Sequence, residues 1–336
     1  YGRKREMLVA EHPPSSPDSQ RHRVPRPGRR VLVVGAGIAG VSCARSLALR
    51  GWQVVLADQA GGPGSAASGN PAAIIYPKLA PSHLSAWHFQ QQGYLWLLQQ
   101  VRHLPEVWRG DGLLWLLTGN QAREGEKLSG HPWQTLLVER LTADEASTRA
   151  GVRLEADCLH FPQAGFLDPQ ALYRHWLDSP RINCRWHTRI TELEKQPDGW
   201  VARDEDGLTA IHADIVILAN ALSARQFALT RDLPVYPVRG QIALVPTSPE
   251  LSQLNKVLSY GGYVTPAFNG HHCLGASFIP NDEDTAIRHE DHEHNRQLLN
   301  QFVPALGARL PATDSWRGRA SYRTQSRDYL PLVGAL

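Results

Sequence analysis

From residue 30 the chain alternates apolar and polar positions in an order that predicts a strand, a turn, a helix and a second strand, "RVLVVGAGIAGVSCARSLALRGWQVVLADQ", residues 30–59. "VLVV" is an unbroken apolar run of strand length, the next stretch has helical spacing, and "VVLAD" is a strand that ends on an acid. Further on, "WHFQQQGYLWLLQQVRHL", residues 87–104, predicts a helix, and "LLWLLT", residues 113–118, a strand. Residues 185–203 predict strands with a turn at Asp198–Gly199. "ADIVILANA", residues 213–221, predicts a parallel strand buried on both faces. From "LPVYPVRGQIALVP" through "GYVTPAFNGHHCLGASF" strands alternate with turns, so a β-rich second lobe follows. Residues 10–30, rich in Pro, Ser and Arg, resist both helix and strand and predict a linker after a preceding domain. The class is α/β with α+β character, and no repeat is present.

The glycines carry the first chemistry. Gly35, Gly37 and Gly40 form G-x-G-x-x-G directly after the first strand. The first permits a tight turn, the second lets backbone approach a pyrophosphate, and the third brings helix and strand close. The phosphates would sit on the N–H groups of Ala36, Gly37, Ile38 and Ala39, where the helix dipole favours negative charge. Asp58 ends the second strand, placed for adenosine ribose hydroxyls. A second small-residue loop, "AASGNPAA", would let backbone approach an isoalloxazine, a demand that a simple nicotinamide enzyme does not make. Only one fingerprint is present, which disfavours a plan with separate flavin and nicotinamide sites. The expected cofactor is FAD, with Ser68, Gly69 and Asn70 as the second contact or, on the alternative, a surface turn.

Composition narrows the setting. The 336 residues allow two lobes, and the net charge is +3. Residues 1–30 hold eight Arg and Lys against Glu6, Glu11 and Asp18, a basic head that either meets an anionic partner or is a solvated linker. Cys43, Cys158, Cys184 and Cys273 lie far apart with no C-x-x-C pair, which predicts a reducing, cytosolic setting and argues against structural zinc. No apolar run is long enough to span a bilayer. The chain begins with Tyr1 and its only methionine is Met7, so it reads as a segment of something longer.

"VLVVGAGIAG", "SAASGN", "DIVILANA", "PVRGQIALVP", "GYVTPAFNGHHCLGASF" and "SYRTQSRDYLPLVG", in this order, resemble the D-amino-acid-oxidase-like flavoproteins, which include glycine and sarcosine oxidases. "SGNPAAIIYPKLAP", "LPVYPVRGQIALVPTSPEL" and "RDYLPLVG" are similar, more specifically, to the C-terminal oxidoreductase domains of the bifunctional tRNA methylaminomethyl-thiouridine biosynthesis family, and "YGRKREML" to the last strand of that family's methyltransferase domain. The resemblance implies a Rossmann-like FAD lobe, about residues 30–80, 150–225 and 318–336, and a β-rich substrate lobe, about 81–149 and 226–317. Residues 1–9 would end the methyltransferase and 10–29 would be the linker. It also implies a strand and helix beyond residue 336 that close the pocket.

The implied reaction is FAD-dependent oxidation of a carboxymethylaminomethyl group on a tRNA wobble uridine, releasing glyoxylate. The upstream domain would then methylate the amine with S-adenosylmethionine. Partners are therefore tRNA and that methyltransferase, with no membrane. The alternative is an oxidase of free glycine, sarcosine or a D-amino acid; a third reading is a binding module without catalysis of its own.

By the same resemblance, Ala219 and Asn220 border the dinucleotide, and Arg323 lies near the substrate carboxylate or is a structural arginine. A guanidinium grips a carboxylate through paired N–H bonds. Tyr263, Thr265 and Gln241 are candidate pocket residues, each with strand packing as the competing role. His289 and His292 have metal-ligand spacing but read as a solvated helix face, and His271–His272 as surface. Trp87, Trp96, Trp108 and Trp115 could stack bases but read better as core. Arg317, Arg319, Arg323 and Arg327 cluster in sequence.

Overall fold

The computed structural model describes residues 29–77, 85–128 and 137–335; the expected methyltransferase tail and residues 10–28 of the expected linker lie outside them. β1 (Arg30–Val34) pairs in parallel with β2 (Gln53–Ala57) on one side and with the strand Ile215–Leu218 on the other. Ile182–Arg185 adds to β2, which completes a four-stranded parallel sheet. Helix α1 (Ile38–Leu49) connects β1 to β2 and buries Gly40, Val41, Ala44 and Ala48, a single stripe at helical spacing. These small side chains let the helix lie close on the sheet.

Val33 and Leu56 lose all solvent contact there, each burial stabilising the fold by about 1.5–3 kcal/mol. Leu172, Tyr173 and Trp176 of the helix Pro169–Leu177 complete this core. That helix begins where the Asp168 carboxylate accepts the N–H groups of Gln170, at 2.8 Å, and Ala171, at 3.2 Å. A three-stranded antiparallel meander over residues 190–213 contributes Ile190, Ala202 and Ala213 to a second core with Leu32, Val34 and Ala57.

The second layer is a large mixed sheet. Its spine is the long strand Val235–Pro246, antiparallel to Arg317–Ser326 from Val235↔Ser326 to Leu244↔Arg317. On its other edge lie His271–Gly275 and Ile279–Pro280, and the sheet continues through Tyr263–Val264, Val257–Ser259, Leu113–Leu116, Cys158–Phe161 and Glu139–Leu141. Leu299 of the helix His289–Phe302 packs with Ala243, Val245 and Leu274 on one face of it.

Some expectations change in detail. The hairpin tip is Pro197–Asp198, because Gln196 pairs with Gly199, which opens the returning strand. Arg185, expected in that hairpin, instead ends the strand Ile182–Arg185 of the parallel sheet. Ile215–Leu218 is parallel as expected but not buried on both faces; it is an edge strand with only β1 beside it, and Ile215 is 38% exposed. Cys158–Phe161 and Arg317–Ser326, placed with the FAD lobe by resemblance, pair within the large sheet. The predicted helix at 87–104 forms over Ser85–Val101, and the strand at 113–118 over Leu113–Leu116. Among the described residues no helix is long and apolar enough to cross a membrane.

Candidate active site

The chain leaves β1 through Gly35 at φ +98°, a conformation that glycine adopts cheaply. A Cβ there would stand 2.7 Å from the Ala219 carbonyl oxygen and 2.7 Å from Asn220 Cα, so the strand end at Ala219–Asn220 presses on the turn. At Gly40 a Cβ would collide with the Gly35 carbonyl. Gly37 caps α1 without a side chain, which leaves the first turn of the helix open. The Asp58 carboxylate accepts the N–H groups of Ala36 at 2.6 Å and Ala60 at 2.9 Å. A carboxylate has about four acceptor positions, so capacity remains for ribose hydroxyls. Asn220 Oδ1 is buried with no hydrogen-bond partner among the described residues.

The second loop meets the first. The Ile38 N–H donates to Ser68 Oγ at 3.1 Å, which places the turn Ala67–Gly69 over the start of α1. The Tyr173 hydroxyl donates to the Ser68 carbonyl at 2.8 Å, and burial pushes the Tyr173 phenol up to about 12. Arg319 Nη2 donates to the Ser65 carbonyl at 2.8 Å and also to that of Ala66. Burial lowers the Arg319 pKa, and its Nη1 is buried without a partner among the described residues. Asn70 follows as an extended residue. Tyr173 was not singled out in sequence, and Arg319 only as one of a basic cluster; the signal for its placement is the period of two along the final strand.

That period puts Arg317, Arg319 and Arg323 on one face, opposite Leu244, Ile242 and Val238, while Arg327 lies past the strand. Arg323 reaches over Gly240, where an added Cβ would stand 2.8 Å from Nη1 and 2.9 Å from the Ser277 carbonyl oxygen. Tyr263 pairs with Gly275, which pairs with Ile242 of the same face. Burial pushes the Tyr263 phenol well above its ordinary value, with nearby Cys273 adding to the rise and Arg323 opposing it. Arg323 and Tyr263 are thus neighbours.

Gln241 points the other way. It is fully buried, its Oε1 accepts Arg239 Nη2 at 3.0 Å and the Arg288 N–H at 2.9 Å, and its Nε2 donates to the Arg288 carbonyl at 2.7 Å. One residue's shift along a strand exchanges faces, so Gln241 joins the Arg239–Asp291 ion pair under the helix rather than Arg323. Thr265 is also buried; its hydroxyl accepts the Cys273 N–H at 3.0 Å.

Several other side chains depart from expectation. His272 is 2% exposed rather than on the surface: its Nδ1–H donates to the Thr265 carbonyl at 2.9 Å, and its Nε2 meets Thr247 Oγ1 at 3.1 Å. His292 is buried against Gln241 and the Trp316 ring, whereas His289 is exposed. Trp115 is core, Trp108 half-buried, and Trp96 43% exposed at an edge contact with Trp176. The side chain of Trp87 is outside the described residues.

An open helix start, a turn without room for side chains, an acid at the strand end and an orphaned amide oxygen beside them fit a bound dinucleotide. Comparison with known proteins agrees. The bifunctional tRNA 5-methylaminomethyl-2-thiouridine biosynthesis protein MnmC of Chromobacterium violaceum is 40% identical over 314 residues, 91% of this chain and 47% of that protein. The protein of the same name from Pseudomonas aeruginosa is 36% identical over 348 residues, 100% of this chain and 53% of that one. The chain therefore spans about half the length of these curated relatives. Among solved structures, glycine oxidase from Geobacillus kaustophilus superposes with a TM-score of 0.74 at 20% identity, covering 91% of this chain and 86% of that one. An FAD-bound L-alpha-glycerophosphate oxidase from Mycoplasma pneumoniae gives 0.71 at 17%, covering 89% and 84%. These likenesses establish the D-amino-acid-oxidase-like fold. Residues 30–336 match the family described as FAD dependent oxidoreductase, and the chain belongs to that family.

Proposed function

We propose that this chain is the oxidising part of a tRNA-modifying enzyme that acts on a wobble uridine bearing a carboxymethylaminomethyl group. The observation that carries the reading is the match of the whole chain, at 36% identity, to a relative named for making methylaminomethyl-thiouridine in tRNA. FAD, when bound, supplies the two-electron acceptor. The backbone at Gly35, Gly37 and Gly40 would hold the pyrophosphate at the start of α1, with Ala36, Ile38 and Ala39 bordering it; the Ala36 and Ile38 N–H groups themselves donate to Asp58 and Ser68 Oγ rather than to the phosphates. Asp58 and Asn220 take ribose hydroxyls, and Ser68, Gly69, Asn70 and Ala219 border the cofactor.

On the substrate side Arg323 grips the carboxylate of the glycine-like arm and Tyr263 packs beside it as a neutral phenol. Gln241 does not touch substrate; it holds the strand beneath Gly240. The arm, R–NH–CH2–COO⁻, enters with its amine neutral and loses a hydride from the methylene carbon and a proton from nitrogen. The imine R–N=CH–COO⁻ adds water and splits into R–NH2 and glyoxylate. A methyltransferase in the same polypeptide then methylates the new amine with S-adenosylmethionine, and the setting is the cytoplasm.

Nucleoside analysis tests the reading. The FAD-loaded protein, given tRNA with the carboxymethylaminomethyl group, should yield aminomethyluridine and an equal amount of glyoxylate. Unchanged tRNA alongside glyoxylate formed from free glycine would make it a small-amine oxidase instead.

A further inference from the structure

Beside the second small-residue loop lies a pocket of about 170 Å³ whose walls include Pro71, Ala72, Thr265 and Phe268, with His271 and Arg317 also lining it. Pro71 and Ala72 follow Asn70 directly, so this pocket adjoins the segment placed against the cofactor. Its size sets the occupant. Drug-sized ligands take about 300–1,000 Å³ and one water about 30 Å³, so the space has room for a single six-membered ring with its substituents.

The charged groups around it are cationic. Arg317 Nη2 lies 2.9 Å from His271 Nε2, and His271 Nδ1 lies 3.0 Å from the Asn269 carbonyl oxygen. Among the described residues, four of the five N–H donors of Arg317 are left over. The Arg109 guanidinium carbon lies 5.8 Å from the centroid of the Phe268 ring. Among the described residues no carboxylate stands within ion-pair distance of Arg109 or Arg317. A ring-sized slot with an aromatic wall and unneutralised guanidinium groups beside it is complementary to a nucleotide, base inside and phosphate outside. A glycine-sized substrate would leave the slot to water.

We infer that this pocket seats the pyrimidine ring of the RNA substrate against Phe268, with Arg317 on an adjoining phosphate. This rests on the proposed tRNA reading and names a base subsite on the same sheet face as Arg323.

The test is fluorescence anisotropy on the FAD-loaded protein with a labelled anticodon stem–loop RNA carrying carboxymethylaminomethyluridine, and with the same RNA lacking the wobble base. Wild type should prefer the base-bearing RNA about tenfold. Phe268→Leu should erase that preference without altering the salt dependence, and Phe268→Tyr should restore it. Arg317→Gln should weaken both RNAs and lower the slope of log Kd against log salt by about one. A wild type that binds neither RNA sinks the tRNA reading itself and the subsite with it. RNA binding that both variants leave unchanged overturns the subsite alone, as does loss of flavin from both variants, which would make the cavity part of the cofactor site.

Discussion

Arg319 Nη2 donates to the carbonyl of Ser65 across 2.8 Å, joining residues 254 positions apart. With the neighbouring Ala66 carbonyl on the same nitrogen, the bond ties the last strand of the large sheet to the loop that meets the start of α1. A Cβ on Gly69 would stand 2.7 Å from that nitrogen, so the guanidinium also needs glycine there. Arg319→Met should cost about 2–3 kcal/mol in urea unfolding of the apoprotein and weaken FAD binding. Arg319→Lys, a point charge without the planar fork, should recover only part of both. An unaltered FAD dissociation constant in Arg319→Met would contradict this role.

Gly37 separates folding from cofactor binding. Its φ is −71°, where any residue is at ease, and an added Cβ would lie 3.2 Å from Ser68 Oγ, close but tolerable. Gly37→Ala should therefore change apoprotein stability by less than about 1 kcal/mol. FAD affinity should still fall at least about tenfold if Gly37 borders the pyrophosphate as proposed, because the methyl group would take that space. Titration of apoprotein with FAD reads the second effect and thermal unfolding the first; equal FAD affinity in the two proteins would refute the assignment.

The contrast between these residues shows what the sequence makes legible. β1, α1 and β2 are contiguous, so apolar period and three glycines specify them locally, and Asp58 falls beside Ala36 as a consequence. Gln241 and Arg323 depend on strand parity relative to partners some 80 residues away, and no local period reveals which face a distant helix covers. His272 is adjacent to a turn and reads as surface, yet its strand is enclosed by neighbours far along the chain. Arg319 could have been found from its spacing with Arg317 and Arg323, but the loop it holds could not.

Beneath the substrate face, Arg239 and Asp291 form an ion pair in which Arg239 is 0% exposed. Arg239 also donates to the Asp284 and Ala286 carbonyls, at 2.7 and 2.6 Å, so it fastens the loop before the helix His289–Phe302. Asp291→Ala strands a buried cation and should destabilise the protein by about 3–5 kcal/mol. A double variant that also replaces Arg239 by Met should recover a large part of that loss, measured as the urea midpoint. Additive losses would show that the two residues act independently.

Burial lowers the pKa of His160, His272 and His292 below the ordinary histidine value. A histidine whose folded pKa is depressed holds its proton better when unfolded, so its stabilising neutral state is fully present above about pH 6.5 and is lost as pH falls from there through the folded pKa. The melting temperature should accordingly drop as pH falls below about 6.5. His272→Gln, less stable at the upper pH because a buried hydrogen bond changes, should show a shallower drop; an identical slope would place the acid sensitivity elsewhere.

In the proposed reaction the electrons taken by the flavin come from the carboxymethylaminomethyl arm of a tRNA base. Anaerobic stopped-flow absorbance of the FAD-loaded protein tests it directly, with tRNA bearing carboxymethylaminomethyluridine in one mixture and free glycine or sarcosine in the others. The tRNA should bleach the flavin band, with glyoxylate recovered, and the free amines at equal concentration should not. Bleaching by the free amines alone would contradict it.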